Sequence, residues 1–368
     1  MYFKIEQRIC GGKRPAAAED TLNQWFPNPE AGLPDCREEI RMLRQLSKQI
    51  EAGIFGLCTA DAVGVPAEFR SRGQLARDPV TDMCGGGTYG LPAGSWSDDS
   101  SMTLCLLVSM QQRGAVEPED IMARFADWRF SGDYTPFGSC FDCGNTRGRA
   151  IARFRTGTPP EQCGDTGVRS NGNGSLMRIL PLVYPLYDAY GRDLTAHGEA
   201  MELIRTVSAL THGHPIAVSA CGIYLCIAAN LLDGMGAEAA MQAGVTEALE
   251  WYREQPAFSS WTGTWDRIAS ADSLRALPES EINSGGYVVD TLEAALWCLL
   301  NTADYRSCVL KAVNLGSDTD TTAAVAGGLA GLIYGTEGIP AAWLDALQRR
   351  DFIADCCAAF AESDVRVR

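Results

Sequence analysis

A chain of 368 residues, 46% hydrophobic and 21% charged, is long and apolar enough to bury the core of one large domain. Its formal net charge of -15, with no basic run beyond pairs such as Arg349-Arg350, argues against a nucleic-acid partner. The first residues lack a signal-peptide core and no stretch of eighteen uninterrupted apolar residues occurs, so no membrane partner and a cytoplasmic location are expected.

Residues 1–36 carry Gly11-Gly12, Pro15, Pro27, Pro29 and Pro34 without a helical period, and read as an extended N-terminal arm. From Asp35, an expected N-cap, Ile40, Leu43, Leu46, Ile50 and Ile54 recur every three or four positions and predict an amphipathic helix opening a single domain over 37–368. The same spacing predicts helices over 101–112, 119–130, 175–186, 199–210, 215–232, 236–253, 287–301, 305–314, 319–334 and 340–350. Strand-type alternation is nowhere sustained, so the expected fold is all-α and compact. The runs 216–232 and 321–334 are apolar nearly all round and rich in small residues, as in closely packed central helices. The stretch 254–285, with Pro256, Pro278 and Gly285-Gly286, reads as a long surface excursion.

Most of the 14 cysteines lie inside apolar segments, where a thiol behaves as a small hydrophobe, and are expected to be reduced. Cys140 and Cys143 form a C-x-x-C, but a zinc site needs a second ligand pair at matching spacing and none is present.

Five segments concentrate chemistry. Ser97, Asp98 and Asp99 stand immediately before an apolar helix, and Asp318, Asp320 and Thr321 stand at the start of another; alone, each reads first as a helix cap. Together they direct four carboxylates and two hydroxyls towards the core, an arrangement that repels itself unless a cation neutralises it. All these donors are oxygens, which favours a hard divalent ion such as magnesium over zinc. Gly172, Asn173, Gly174 and Ser175 form a Gly/Asn loop whose N–H groups suit a phosphate. His212, in Thr211-His212-Gly213-His214-Pro215, precedes the most apolar helix and is placed to line a pocket there. Asp61 falls inside a small-residue helix, and Glu68 lies just past Pro66, where that helix should break.

In order, GLCTADAVGVPAEF, GSWSDDSSM, FDCGNTRGRAI, NGNGSLMRILPL, THGHP and NLGSDTDTTAAVAGGLAGLIYG resemble the ADP-ribosylglycohydrolase family over roughly residues 50–335. The resemblance implies a compact helical fold with two magnesium ions at the floor of a cleft that holds ADP-ribose. It places Ser97, Asp98, Asp99, Asp318, Asp320 and Thr321 as metal ligands, with Asp320 bridging, and the family's gating glutamate on Glu68. Gly172, Asn173, Gly174 and Ser175 match its diphosphate loop, His212 a ligand-contacting histidine, and Asn145 and Thr146 the ribose end. Two positions depart from the family pattern: Ser97 stands where threonine is usual, and Ser317 where glycine is usual.

The implied reaction removes ADP-ribose from a modified protein side chain, arginine favoured, with Asp98 or Asp99 as general base towards a metal-held water. A second expectation is an immunity protein whose arm, through anchors such as Tyr2, Phe3, Trp25 and Phe26, blocks an ADP-ribosyltransferase toxin, with or without hydrolysis. A third is a two-metal phosphoesterase acting on nucleotides.

Overall fold

The computed structural model of the protein describes residues 34–367, with side chains from Arg44 onward. Residues 1–33 of the expected arm, with its aromatic anchors, lie outside the described residues. The described residues contain no strand, only isolated bridges between loops, in keeping with an all-α chain.

Helix α1 (Pro34–Gly64) begins one residue ahead of the expected N-cap, which puts Asp35 inside the first turn, and it continues through Asp61 before Val65–Ala67 tighten into a 3-10 turn at Pro66. A short α2 (Arg72–Leu75) follows, closed by a capping box between Ser71 and Gln74. Helices α3 (Asp98–Arg113), α4 (Pro118–Ser131) and α5 (Asn145–Arg155) come next; the first two end on left-handed glycines, Gly114 and Gly132. The single helix expected over 175–186 is instead two 3-10 turns, Leu176–Arg178 and Leu180–Leu182, followed by α6 (Val183–Tyr190). Pro181 and Pro185 remove the backbone donors that a continuous α-helix would need there.

Helices α7 (Gly198–Ala209), α8 (Pro215–Leu232) and α9 (Ala237–Glu254) match the periodicity closely. The expected excursion over 254–285 is anchored: a 3-10 segment (Ser259–Ile268) and α10 (Ala271–Arg275) bury Trp265, Ile268 and Leu274, and the Trp265 indole donates to Ser219 Oγ at 3.0 Å. Then follow α11 (Val288–Leu300), α12 (Tyr305–Asn314) and α13 (Thr319–Tyr334). The helix expected over 340–350 ends early as α14 (Ala341–Ala346), and α15 (Arg350–Glu362) continues the chain.

The two small-residue runs become α8 and α13, both almost wholly buried. Helix α13 lies along α1 at backbone contact distance, because a Cβ on Gly56 would come within 2.9 Å of Gly331 Cα, and one on Gly64 would strike the Asp320 backbone. This close approach fixes the C-terminal end of α1 against the N-terminal end of α13. Stretches within α1 and α8 are long and apolar enough to cross a membrane by length and composition, but both are 94% buried inside the fold, as core helices are.

Candidate active site

The N-terminal ends of α3 and α13 meet beside the end of α1, under a cavity of about 270 Å³ lined by Glu68, Asp142, Asn145, Arg147, Asn173, His212, Asp318 and others. Asp318 occupies the N-cap position of α13 yet makes no capping bond; its Oδ2 instead accepts from Asn173 Nδ2 at 2.8 Å. The carboxylate is thereby committed to the cavity floor, not to its own helix. Glu68, Asp318 and Asp320 each bring an oxygen within 4.8 Å of the others.

Asp99 lies beneath this floor, accepting from Ser97 Oγ at 3.2 Å and Thr321 Oγ1 at 3.3 Å, so one hydrogen-bond chain joins the two acidic motifs. Asp98 is also buried and forms an ion pair with Arg147. Burial pushes the Asp98, Asp99 and Asp320 carboxyls well above the usual carboxylate range; Arg147 opposes the shift at Asp98 and, less, at Asp99, while neighbouring carboxylates add to it at all three. Burial, with the charges of Asp142 and Asp318 beside it, raises Glu68 to about 8.

His212 is 2% exposed, with Nδ1 2.9 Å from Thr211 Oγ1. Burial, helped by the charges of Arg147 and Arg178, drops its pKa to about 3 and keeps the ring neutral. Gly174 stands where a Cβ would meet both Arg147 and His212 at under 3.0 Å, so this glycine lets the two side chains close around the loop. Gly172 lies on the same wall. The Asn173 N–H is bonded to Gly286 O at 3.1 Å, and Ser175 faces away, its hydroxyl bonded by Ser208 and Cys221. The loop runs into a 3-10 turn, so no long helix dipole stands behind it. Asn145 and Thr146 open α5 at the other end of the cavity.

The sequence marked Asp61 as a polar residue inside a small-residue helix but not its partners, and it carried little signal for Asp142 and Arg147. Asp61 is fully buried and receives the Ser97 and Ser100 N–H groups at about 3.0 Å, so it splices α1 to the start of α3; burial raises it to about 6 against those hydrogen bonds. Asp142 and Arg147 flank the Asn145-Thr146 pair and both line the cavity. Their spacing from that pair would have justified reading FDCGNTR as one charged wall. Cys140 and Cys143 lead into this wall, and the twelve cysteines whose side chains are described are free thiols.

Ser317, at φ 67, holds a left-handed backbone conformation that glycine adopts without cost. That requirement suits the glycine that the resemblance implies at this position. Phe69, at φ 66, is likewise left-handed, and the two are tied together: the Phe69 N–H donates to Ser317 O at 2.7 Å and the Ser317 N–H to Arg70 O at 2.8 Å.

The donor set fits a hard cation. Glu68 Oε2 and Asp99 Oδ1 are buried with no hydrogen-bond partner, an arrangement that costs free energy unless a positive charge completes it. Every donor grouped there is oxygen, as such an ion requires.

A family model described as ADP-ribosylglycohydrolase matches residues 42–367. The chain is 29% identical to the ADP-ribosylarginine hydrolase Tri1 of Serratia proteamaculans, covering 96% of this chain and 88% of that one. It is 33% identical to the Tri1 protein of Pseudomonas putida, covering 82% and 74%. Identity to the ADP-ribosyl-(dinitrogen reductase) glycohydrolase of Rhodospirillum rubrum is 31%, covering 80% and 88%. A solved structure described as an ADP-ribosylglycohydrolase-related protein complex superposes with a TM-score of 0.70 at 30% identity, over 87% of this chain and 99% of that one.

Proposed function

The chain belongs to the ADP-ribosylglycohydrolase family and is an enzyme of that class, and from this premise we propose that it releases ADP-ribose from ADP-ribosylated arginine on a protein, with two magnesium ions. The observation that carries the reading is the convergence of Glu68, Asp318 and Asp320 at the floor of a cavity walled by the Gly172–Gly174 loop and His212. The names of the Serratia and Pseudomonas relatives supply the arginine linkage.

Glu68, Asp318 and Asp320, with Ser97, Asp98, Asp99 and Thr321 beneath them, would hold the ions. Bound there, divalent ions orient the ribose hydroxyls and acidify water. The glycine loop leaves room for the diphosphate, and neutral His212 offers it a hydrogen bond without adding a charge that titrates near neutrality. Asp98 and Asp99, the expected general bases, do not line the cavity, whereas Glu68, expected as a gating residue, does. Glu68 is therefore assigned as proton acceptor. Water oxygen bonds to the anomeric carbon, Glu68 takes its proton, and the C–N bond breaks with its electron pair left on the guanidine nitrogen. The guanidine leaves neutral and takes a proton on release.

The test is incubation of the full chain with an arginine-ADP-ribosylated protein, with magnesium and with EDTA. Magnesium-dependent release of free ADP-ribose is the expected result. Release of AMP or phosphate would point to the phosphoesterase chemistry instead, and no product at all would remove the hydrolase reading.

A further inference from the structure

We infer that Phe69 is the platform on which the modified arginine rests, and that its ring face selects a guanidinium over a neutral acceptor side chain. The inference rests on the arginine-linked reading above and extends it to the acceptor side of the bond.

A phenylalanine normally buries its ring, yet Phe69 is 68% exposed while lining the cavity mouth. Its exposure is enforced by the backbone. The left-handed conformation at φ 66 is an outlier for a bulky residue, and hydrogen bonds to the Ser317 loop on both sides of Phe69 hold it there. The same loop carries Asp318, so the ring is registered to the acidic floor through two hydrogen bonds of 2.7 and 2.8 Å.

The surroundings suit a cation. Glu68, Asp142 and Asp318 line the same cavity as Phe69, so the ring shares it with three carboxylates. The protein does not supply that cation itself. Among the described residues, Phe130, the next most exposed phenylalanine, is covered by the guanidiniums of Arg129 and Arg155, but no such contact is made over Phe69. The adjacent Arg70 is drawn away to Asp78 at 2.9 Å. An exposed ring that lines an acidic cavity and carries no resident cation is what an incoming guanidinium requires. A serine-linked substrate brings no charge and gains nothing from this face.

The charge is present on the bound substrate and wanes as the guanidine departs, so the contact stabilises the ground state at least as much as the transition state, and its loss raises KM without lowering kcat. Phe69→Gly removes the ring while suiting the left-handed backbone, so the loop should keep its shape, and a thermal melt at least as high as the parent's would verify this. The variant should raise KM for an arginine-ADP-ribosylated peptide roughly five- to tenfold, with kcat within about twofold and free ADP-ribose affinity unchanged. Phe69→Tyr should keep the parent KM.

A second measurement does not depend on turnover: arginine amide titrated by NMR into the magnesium-loaded protein saturated with ADP-ribose. Binding by the parent and its loss in Phe69→Gly is the expected pair. An unchanged KM in Phe69→Gly, or no arginine amide binding by the parent, overturns the inference. If the parent binds arginine amide but releases no ADP-ribose, the hydrolase reading falls and the guanidinium platform stands.

Discussion

Arg147 reaches from α5 to pair with the buried Asp98 carboxylate, and it lines the same cavity as Glu68 and Asp318. Burial alone would lower the Arg147 pKa, but Asp98, Asp142 and Asp99 raise it further than burial lowers it, so the charge persists. Replacing it by methionine keeps most of the volume and leaves Asp98 without a counter-ion. In EDTA, Arg147→Met should lose about 3–5 kcal/mol of stability, the usual cost of stranding one member of a buried pair. In saturating magnesium the loss should be markedly smaller, since a bound cation restores the missing charge. Urea denaturation of parent and variant in both buffers measures the difference; equal losses would mean that Arg147 acts through packing.

Asp320 lies within 4.8 Å of Glu68 and Asp318, and burial with those two charges holds its carboxyl well above the ordinary range. Asp320→Asn keeps the shape and removes one of three crowded acids. Without metal the variant should be more stable by roughly 0.5–2 kcal/mol, as is common when a strained active site is relaxed. It should also bind magnesium more weakly and lose turnover at least a hundredfold. Denaturation in EDTA, magnesium titration calorimetry and the ADP-ribose release assay test the three effects separately, and normal turnover would refute a metal role for Asp320.

The sequence announced these carboxylates through their spacing, because Asp98, Asp99, Asp318 and Asp320 sit in short motifs that each open a helix. The boundaries of α8, α12 and α13 were legible too, since residues that interrupt the period bracket each one: Pro215 and Gly234, Asp304 and Gly316, Asp318 and Gly335. What one-dimensional spacing could not carry was contact between distant segments. Asp61 accepts N–H groups at the start of α3 from at least 36 residues away, and Arg147 meets Asp98 from another helix. Helix α15 was missed because Arg349, in a left-handed conformation, divides it from α14 without a glycine or proline to mark the break. The Ser175 hydroxyl lies apart from its loop because its partners, Ser208 and Cys221, come from helices further along the chain.

His212 gives the fold a definite acid sensitivity. Its ring takes a proton near pH 6.5 in the unfolded chain but only at about 3 in the folded one, because it is buried beside Arg147 and Arg178. Between those values unfolding takes up a proton, so this residue makes stability fall as pH drops from about 6.5 towards 3 and contributes no slope above 6.5. His212→Gln should flatten that part of the profile relative to the parent. Urea midpoints measured for both proteins at half-unit steps from pH 7.5 to 4 test it, and parallel profiles would contradict a buried neutral imidazole. A buried neutral imidazole also keeps its ring signals constant between about pH 5 and 8 in an NMR titration.

Ser317 separates the effects of backbone strain and side-chain chemistry at the metal loop. Its side chain is exposed, and its backbone both donates to Arg70 O and accepts from Phe69 N in a left-handed conformation. For an L-residue that conformation costs about 1–2 kcal/mol, part of which glycine returns through its greater freedom in the unfolded chain. Ser317→Gly should therefore stabilise the protein by roughly 0.5–1 kcal/mol while both backbone hydrogen bonds remain. Because Asp318 follows directly and keeps its bond from Asn173, magnesium affinity and ADP-ribose release should stay within about twofold of the parent. Had the serine been retained for a contact of its hydroxyl with the ligand, the glycine variant would lose affinity despite the gain in stability. Denaturation midpoints and magnesium titrations on the same two proteins distinguish strain relief from lost contact.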